Sequence, residues 1–133
     1  FGLGQDLSIG KKEAEAYKRA LLLELINFTI PGVPCVYQGD EYGEAGANDP
    51  DNRHMMKFNG LNKEQQDFRQ KVQQLAQMRR NNMALIYGEY IPIKATNDTL
   101  HFKRVYMGDV VDVMITLNGE SSITINGDKV FAL

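Results

Sequence analysis

The chain has 133 residues, 43% of them hydrophobic, with 15 basic and 17 acidic side chains and a net charge of -2. That length suits one ordinary domain or two small units, and the apolar content is too high for a disordered chain. The near-neutral balance gives no electrostatic reason to expect nucleic acid, and no apolar run approaches the ~18 residues of a membrane-spanning helix.

Residues 1–11 read as an irregular connection. The chain opens on Phe1 without a basic-then-apolar leader and stops after Val130-Phe131-Ala132-Leu133. Both ends are expected to be cuts in a longer protein, so the missing leader carries no information on compartment. From Lys12 to Phe28, Ala14, Tyr17, Leu21, Leu25 and Phe28 recur at spacings of three and four, which predicts a helix. The cluster around Leu21-Leu22-Leu23 and Leu25-Ile26 makes its second half apolar nearly all round, and Pro31 ends it. Val33 to Tyr37 lacks polar alternation and predicts a strand covered on both faces, in the manner of a parallel sheet. Cys35, the one cysteine, would be a small buried hydrophobe there, and Tyr37 a core residue.

Residues 39–60 form a long connection rich in Gly, Asp and Asn, of the kind that is functional when it sits in a compact domain. Asn62 reads as an N-cap, with Gln65 in the capping-box position, for a helix running to about Asn82. Phe68, Val72, Leu75 and Ala76 mark its apolar stripe, and Arg79-Arg80 suits the negative end of its dipole. Past a boundary placed near 82–86, strand-like runs at 84–94, 99–107, 110–117, 121–125 and 129–133 alternate with turn pairs. Asn118-Gly119 and Asn126-Gly127 are strong hairpin signals, so an antiparallel meander forming one side of a small β-sandwich is expected.

Gly32, Pro34, Gly39 and Glu41 on the predicted strand, then Asp49, Pro50 and Arg53 in the loop, match two consecutive motifs in order and spacing. Ala84, Leu85, Tyr87 and Gly88 follow as an entry into the β region. Together they resemble the last barrel strand, its loop and the C-terminal domain of the α-amylase-type glycoside hydrolases. The resemblance implies an α+β piece: the last helix-strand-helix of a (β/α)8 barrel in residues 1–83, then an all-β, sandwich-like C-terminal domain in residues 84–133. It implies that the parent is a retaining glycoside hydrolase acting on α-glucosidic bonds of starch-like or malto-oligosaccharide substrates.

In that family the Asp and Arg of the loop bind a glucose unit. Carried over, Asp49 and Arg53 would contact substrate; an ion pair between them that merely orders the loop is the alternative, and the two are compatible. Tyr42 and His54 are candidates for lining the cleft, although an exposed loop histidine is the plainer reading of His54. Glu41 reads as a hydrogen-bonded scaffold residue.

The family's nucleophile and acid/base carboxylates lie upstream of anything present, so no catalytic residue is assigned and the isolated piece is expected to be inactive, because the reaction needs two carboxylates. Residues 1–6 have the outline of the family's Asn-His-Asp motif, but Gly4 and Gln5 stand where Asn and His belong, so Asp6 is not assigned that role. No cofactor and no metal is expected: Asp49, Asp51 and Asn52 lack the spacing of a calcium loop. The partner implied is an α-glucan or oligosaccharide, with no nucleic acid and no membrane, and the piece is expected to self-associate through uncovered barrel surfaces. The rival reading is a non-catalytic carbohydrate-binding or scaffold homologue, with Tyr87, Tyr90 and Tyr106 as a sugar platform.

Overall fold

In the computed structural model the backbone is described for residues 9–133 and side chains from residue 14 onward. Asp6 lies outside the described residues. The first helix, α1, spans Ile9–Thr29. Leu22, Leu25 and Phe28 are buried on one face, while Leu23 on another is 67% exposed. The apolar second half is therefore covered on one side and bare on the other.

No strand follows. Val33 to Tyr37 has no regular secondary structure and belongs to no sheet, and Val33 is 94% and Tyr37 51% exposed. This corrects the expected helix-strand-helix and with it the buried reading of Cys35, which is exposed. The physical reason is that a strand exists only against a neighbour, and among the described residues none lies alongside to share its backbone hydrogen bonds. What fixes the segment instead is Asn27 on α1. Its side-chain amide donates to the Cys35 carbonyl at 2.8 Å and its carbonyl oxygen accepts from the Cys35 N–H at 3.3 Å.

A single 3-10 turn, Asp40–Tyr42, is bracketed by Gly39 and Gly43, both with positive φ. Gly43 is required twice over. Its φ of 68° is left-handed, and a Cβ there would lie 2.8 Å from the Tyr17 ring.

Helix α2, Lys63–Asn81, begins where the sequence predicts. The Asn62 side chain accepts from Gln65 N at 2.8 Å and Gln65 Oε1 accepts from Asn62 N at 3.2 Å, a complete capping box. Phe68, Val72, Leu75 and Arg79 form its buried stripe. Residues 84–87, expected as the start of a strand, are instead the short helix α3, Met83–Tyr87. It buries Ala84 and Leu85 while Tyr87 is 68% exposed, a helical rather than alternating pattern. Gly88 closes it by donating to the Ala84 carbonyl at 3.0 Å, so near that a Cβ would lie 2.1 Å from that oxygen.

Five strands then run as an antiparallel meander in the order β1-β2-β3-β4-β5: β1 Glu89–Ala95, β2 Thr99–Tyr106, β3 Asp109–Thr116, β4 Ser122–Ile125 and β5 Asp128–Ala132. The β4–β5 hairpin turns through Asn126-Gly127, both with positive φ, as the sequence predicts. The β2–β3 turn is shifted by one residue from expectation: Tyr106 pairs with Asp109, and Met107 (φ 48°) joins Gly108 in the turn. Edge strand β1 carries Pro92 beside an irregularity in its pairing, a common way to blunt an open edge.

The sheet is single among the described residues, the antiparallel meander expected as one side of a sandwich, and no second sheet faces it there. Its inner face, Phe102, Val111, Val113, Ile115, Ile123 and Phe131, packs on the helices, so no second sheet is needed to bury it. Its outer face carries a charged cluster: His101 Nε2 lies 2.8 Å from Asp112 Oδ1, and Lys103 is paired with the same carboxylate at 3.8 Å. One continuous core joins α1, α2, α3 and the sheet across the boundary expected near residue 83.

Candidate functional site

The site is built where α1 hands over to the 33–62 segment, and two buried arginines fix that handover. The last carbonyls of a helix have no intrahelical donors. Arg79 of α2 donates from Nη1 to Phe28 O in the last turn at 2.9 Å and to Ile30 O just past the helix at 3.0 Å, and from Nη2 to Gly32 O. Arg104 of β2, 1% exposed, donates from Nη1 to Thr29 O at 2.8 Å and from Nε and Nη2 to Gly88 O at 3.2 and 3.0 Å.

Both guanidiniums are held by main-chain carbonyls. Burial pushes their pKa values down, and at Arg104 the charge of Arg79 adds to the effect. The exit of α1, and hence the start of the loop, is set jointly by the second helix and the sheet. Sequence position alone marks Arg79 as a helix-end cation; the structure buries it and gives it three main-chain carbonyls at and just beyond the end of α1.

Within the loop, Glu44 is the hub. Its carboxylate accepts from Lys57 Nζ at 2.7 and 2.9 Å and from Gln65 Nε2 on α2 at 3.4 Å, and its Oε1 lies 3.2 Å from His54 Nδ1. His54 Nε2 lies 3.0 Å from Asp51 Oδ1, and the other oxygen of Asp51 accepts from Ala47 N at 2.8 Å. Gln38 donates to the His54 carbonyl at 2.9 Å, and the Tyr42 hydroxyl accepts from Lys57 N at 3.1 Å.

These contacts tie residues 38–57 into one ordered loop. The Lys57 hydrogen bond, then His54, holds the Glu44 carboxyl below its ordinary range. The Ala47 N–H, then His54, does the same for Asp51. Asp51 and then Glu44 push the His54 imidazole above its ordinary value.

The four candidates fall in different places. Tyr42 and His54 both border a polar concavity of about 250 Å³ whose wall includes Tyr37, Gln38, Asp40, Glu44 and Asn52. Tyr42 is only 1% exposed, so its hydroxyl, not its ring face, is what it offers there. Asp49 and Arg53 do not line the concavity. They stand on the exposed part of the same loop, Arg53 Nε 3.4 Å from Asp49 Oδ1 with the side chains 62% and 69% exposed. Glu41 accepts from Gly39 N at 2.8 Å, a scaffold contact within the turn.

The sequence missed Glu44, Asp51 and Lys57. Contacts spanning 10 and 13 residues of an irregular loop leave no periodic trace. Among the described residues no group of three or more His, Cys, Asp or Glu side chains is placed to hold a metal ion, and no helix is long and apolar enough to cross a membrane. Tyr87 and Tyr106 lie 6.0 Å apart with their rings tilted by 42°, a pair but not a coplanar platform.

No family model matches the chain. Curated relatives do. The cyclomaltodextrin glucanotransferase of Geobacillus stearothermophilus is 36% identical over 99 residues, covering 74% of this chain and 14% of the relative. A cyclomaltodextrinase of Thermoanaerobacter pseudethanolicus is 33% identical over 103 residues, covering 77% of this chain and 17% of the relative. The chain thus spans less than a fifth of either relative's length. The crystal structure of an Anoxybacillus α-amylase superposes with a TM-score of 0.67 over 86% of this chain and 30% of that one, at 22% identity, a likeness of fold. With the Gly32-to-Glu41 and Asp49-to-Arg53 motifs standing in one continuous segment, these likenesses lead to one conclusion: the chain belongs to the α-amylase-type glycoside hydrolase family.

Proposed function

We infer that this chain is a piece of a retaining glycoside hydrolase that acts on α-glucosidic bonds of starch-like or malto-oligosaccharide substrates. In this reading residues 1–83 complete the catalytic barrel, residues 84–133 form the β domain that seals it, and the 38–57 loop supplies a substrate contact. Curated relatives named for cyclodextrin and pullulan chemistry support the substrate class. The isolated chain hydrolyses nothing, because the nucleophile and the acid/base belong to earlier strands of the family's barrel and both are needed.

The observation that carries the loop's role is the exposure of Asp49 and Arg53 on an otherwise cross-braced loop. A guanidinium has five N–H donors, and that of Arg53 approaches Asp49 through Nε at 3.4 Å. The pair therefore pre-orients both groups while leaving donors and acceptors for sugar hydroxyls, in charge-assisted bonds worth roughly 1.5–3 kcal/mol each.

The test is a titration of the 133-residue chain with maltotriose, followed by backbone amide shifts. Shifts confined to residues 46–54, with affinity lowered about tenfold in Asp49→Asn and in Arg53→Gln, are expected. Shifts confined to Tyr87, Tyr90 and Tyr106 would move the reading to a carbohydrate-binding module, and no shift at millimolar sugar would remove the loop's role.

A further inference from the structure

His54 is the only side chain in the loop with a carboxylate against each ring nitrogen, Glu44 at Nδ1 and Asp51 at Nε2. Imidazolium donates from both nitrogens. Neutral imidazole has one donor and one lone pair. Once the proton leaves, one of the two carboxylates faces that lone pair at about 3 Å, an arrangement that repels and must open or admit water.

The two carboxylates are anchored to different parts of the loop. Glu44 is braced by Lys57 and, from α2, by the neutral Gln65. Asp51 is held only locally, by Ala47 N and its own turn. Asp40 borders the same concavity, and the Asp49–Arg53 pair flanks Asp51 in sequence. The weaker anchor is the one that gives way. Asp51 sits between Asp49 and Arg53, so its release frees the stretch that carries both.

We propose that His54 is a proton-dependent positioning residue: charged, it latches Asp51 to Glu44 and holds the 46–53 stretch in the conformation that presents Asp49 and Arg53; neutral, it lets that stretch go. The consequence for sugar binding rests on the substrate-loop reading, whereas the latch itself does not.

The sign follows from the shifts. His54 is raised above its ordinary 6.5, so its contribution to loop order is fully present below that value and is lost as pH rises through the higher folded value. Glu44 and Asp51 are lowered, so their contributions are present above their ordinary values of 4.5 and 3.8 and are lost only in stronger acid. Loop order is thus greatest in a mildly acidic window between the two.

The experiment is an NMR titration of the 133-residue chain from pH 4.5 to 9, reading the His54 and His101 imidazole signals and the amide order of residues 45–57. A His54 midpoint above 6.5, with amides 46–53 losing order at that same midpoint while α1, α2 and the sheet stay unchanged, is the expected result. His54→Gln, at an exposed position, should give the loosened 46–53 stretch at every pH. A midpoint at or below 6.5, or loop order that is flat through the His54 midpoint, overturns the latch. Repeating the maltotriose titration on either side of the midpoint separates the two readings. Affinity that falls with the proton supports both, while a loop transition with no sugar binding at any pH upholds the latch and removes the sugar contact.

Discussion

Arg104 is the residue whose role is hardest to guess and simplest to test. It lies on the inward face of β2, in register with Phe102, where alternation calls for an apolar side chain. Its partners are the carbonyls of Thr29, 75 residues away, and Gly88, 16 residues away. No spacing rule connects residues so distant, so the sequence shows only a basic residue in a mixed strand. The same holds for Arg79, whose bond to Phe28 O spans 51 residues.

Replacing Arg104 by Met keeps much of the side chain's length but leaves the Thr29 carbonyl unpaired beneath the sheet. An unsatisfied buried group costs about 1–3 kcal/mol. We expect Arg104→Met to lower unfolding free energy by about 2–4 kcal/mol in urea titration, with loss of the α1–sheet register as well. A change below about 0.5 kcal/mol would show that water replaces the guanidinium at no cost.

At the scale of elements, what was legible is what is local. The α2 start depends on Asn62 and Gln65, three residues apart, and the capping box forms as read. The Asn126-Gly127 turn needs positive φ at two adjacent residues and has it. Asn62→Ala should therefore cost about 1 kcal/mol, seen as a lower unfolding midpoint with unchanged slope.

What was not legible depends on neighbours. Val33 to Tyr37 has the composition of a buried strand, yet strand character is a property of a pair, and the described residues offer no partner. Residues 84–87 read as the start of a strand, and the cap at Gly88 together with burial of Ala84 and Leu85 decides for a helix instead. In the candidate site, the Asp49–Arg53 ion pair was legible from its motif, and the Glu44–His54–Asp51 braces were not. Each brace joins points of an irregular loop that only the fold brings together.

For the molecule as a whole, the sheet's inner face is well covered while the opposite side of α1 is not. A groove of about 640 Å³ runs along α1 between Tyr17, Ala20, Leu23, Gly43 and Phe68, and Glu24 at its wall has its carboxyl pushed up by burial. Next to it in sequence, Val33, Val36 and Tyr37 are 94%, 39% and 51% exposed on a backbone stretch that belongs to no ladder. Exposed apolar surface on a segment that belongs to no ladder favours association, because a second copy that covers it buries that surface. In the proposed parent this surface would be covered by the rest of the barrel; in the 133-residue chain alone it is open. Sedimentation velocity across concentrations from a few to a few hundred micromolar should therefore show reversible growth beyond the monomer. Val36→Lys, which places a charge on the segment without touching the core, should shift the distribution back toward monomer. A single monomeric species at every concentration would mean that the Asn27 clamp on Cys35 already satisfies the segment well enough to keep a second copy away.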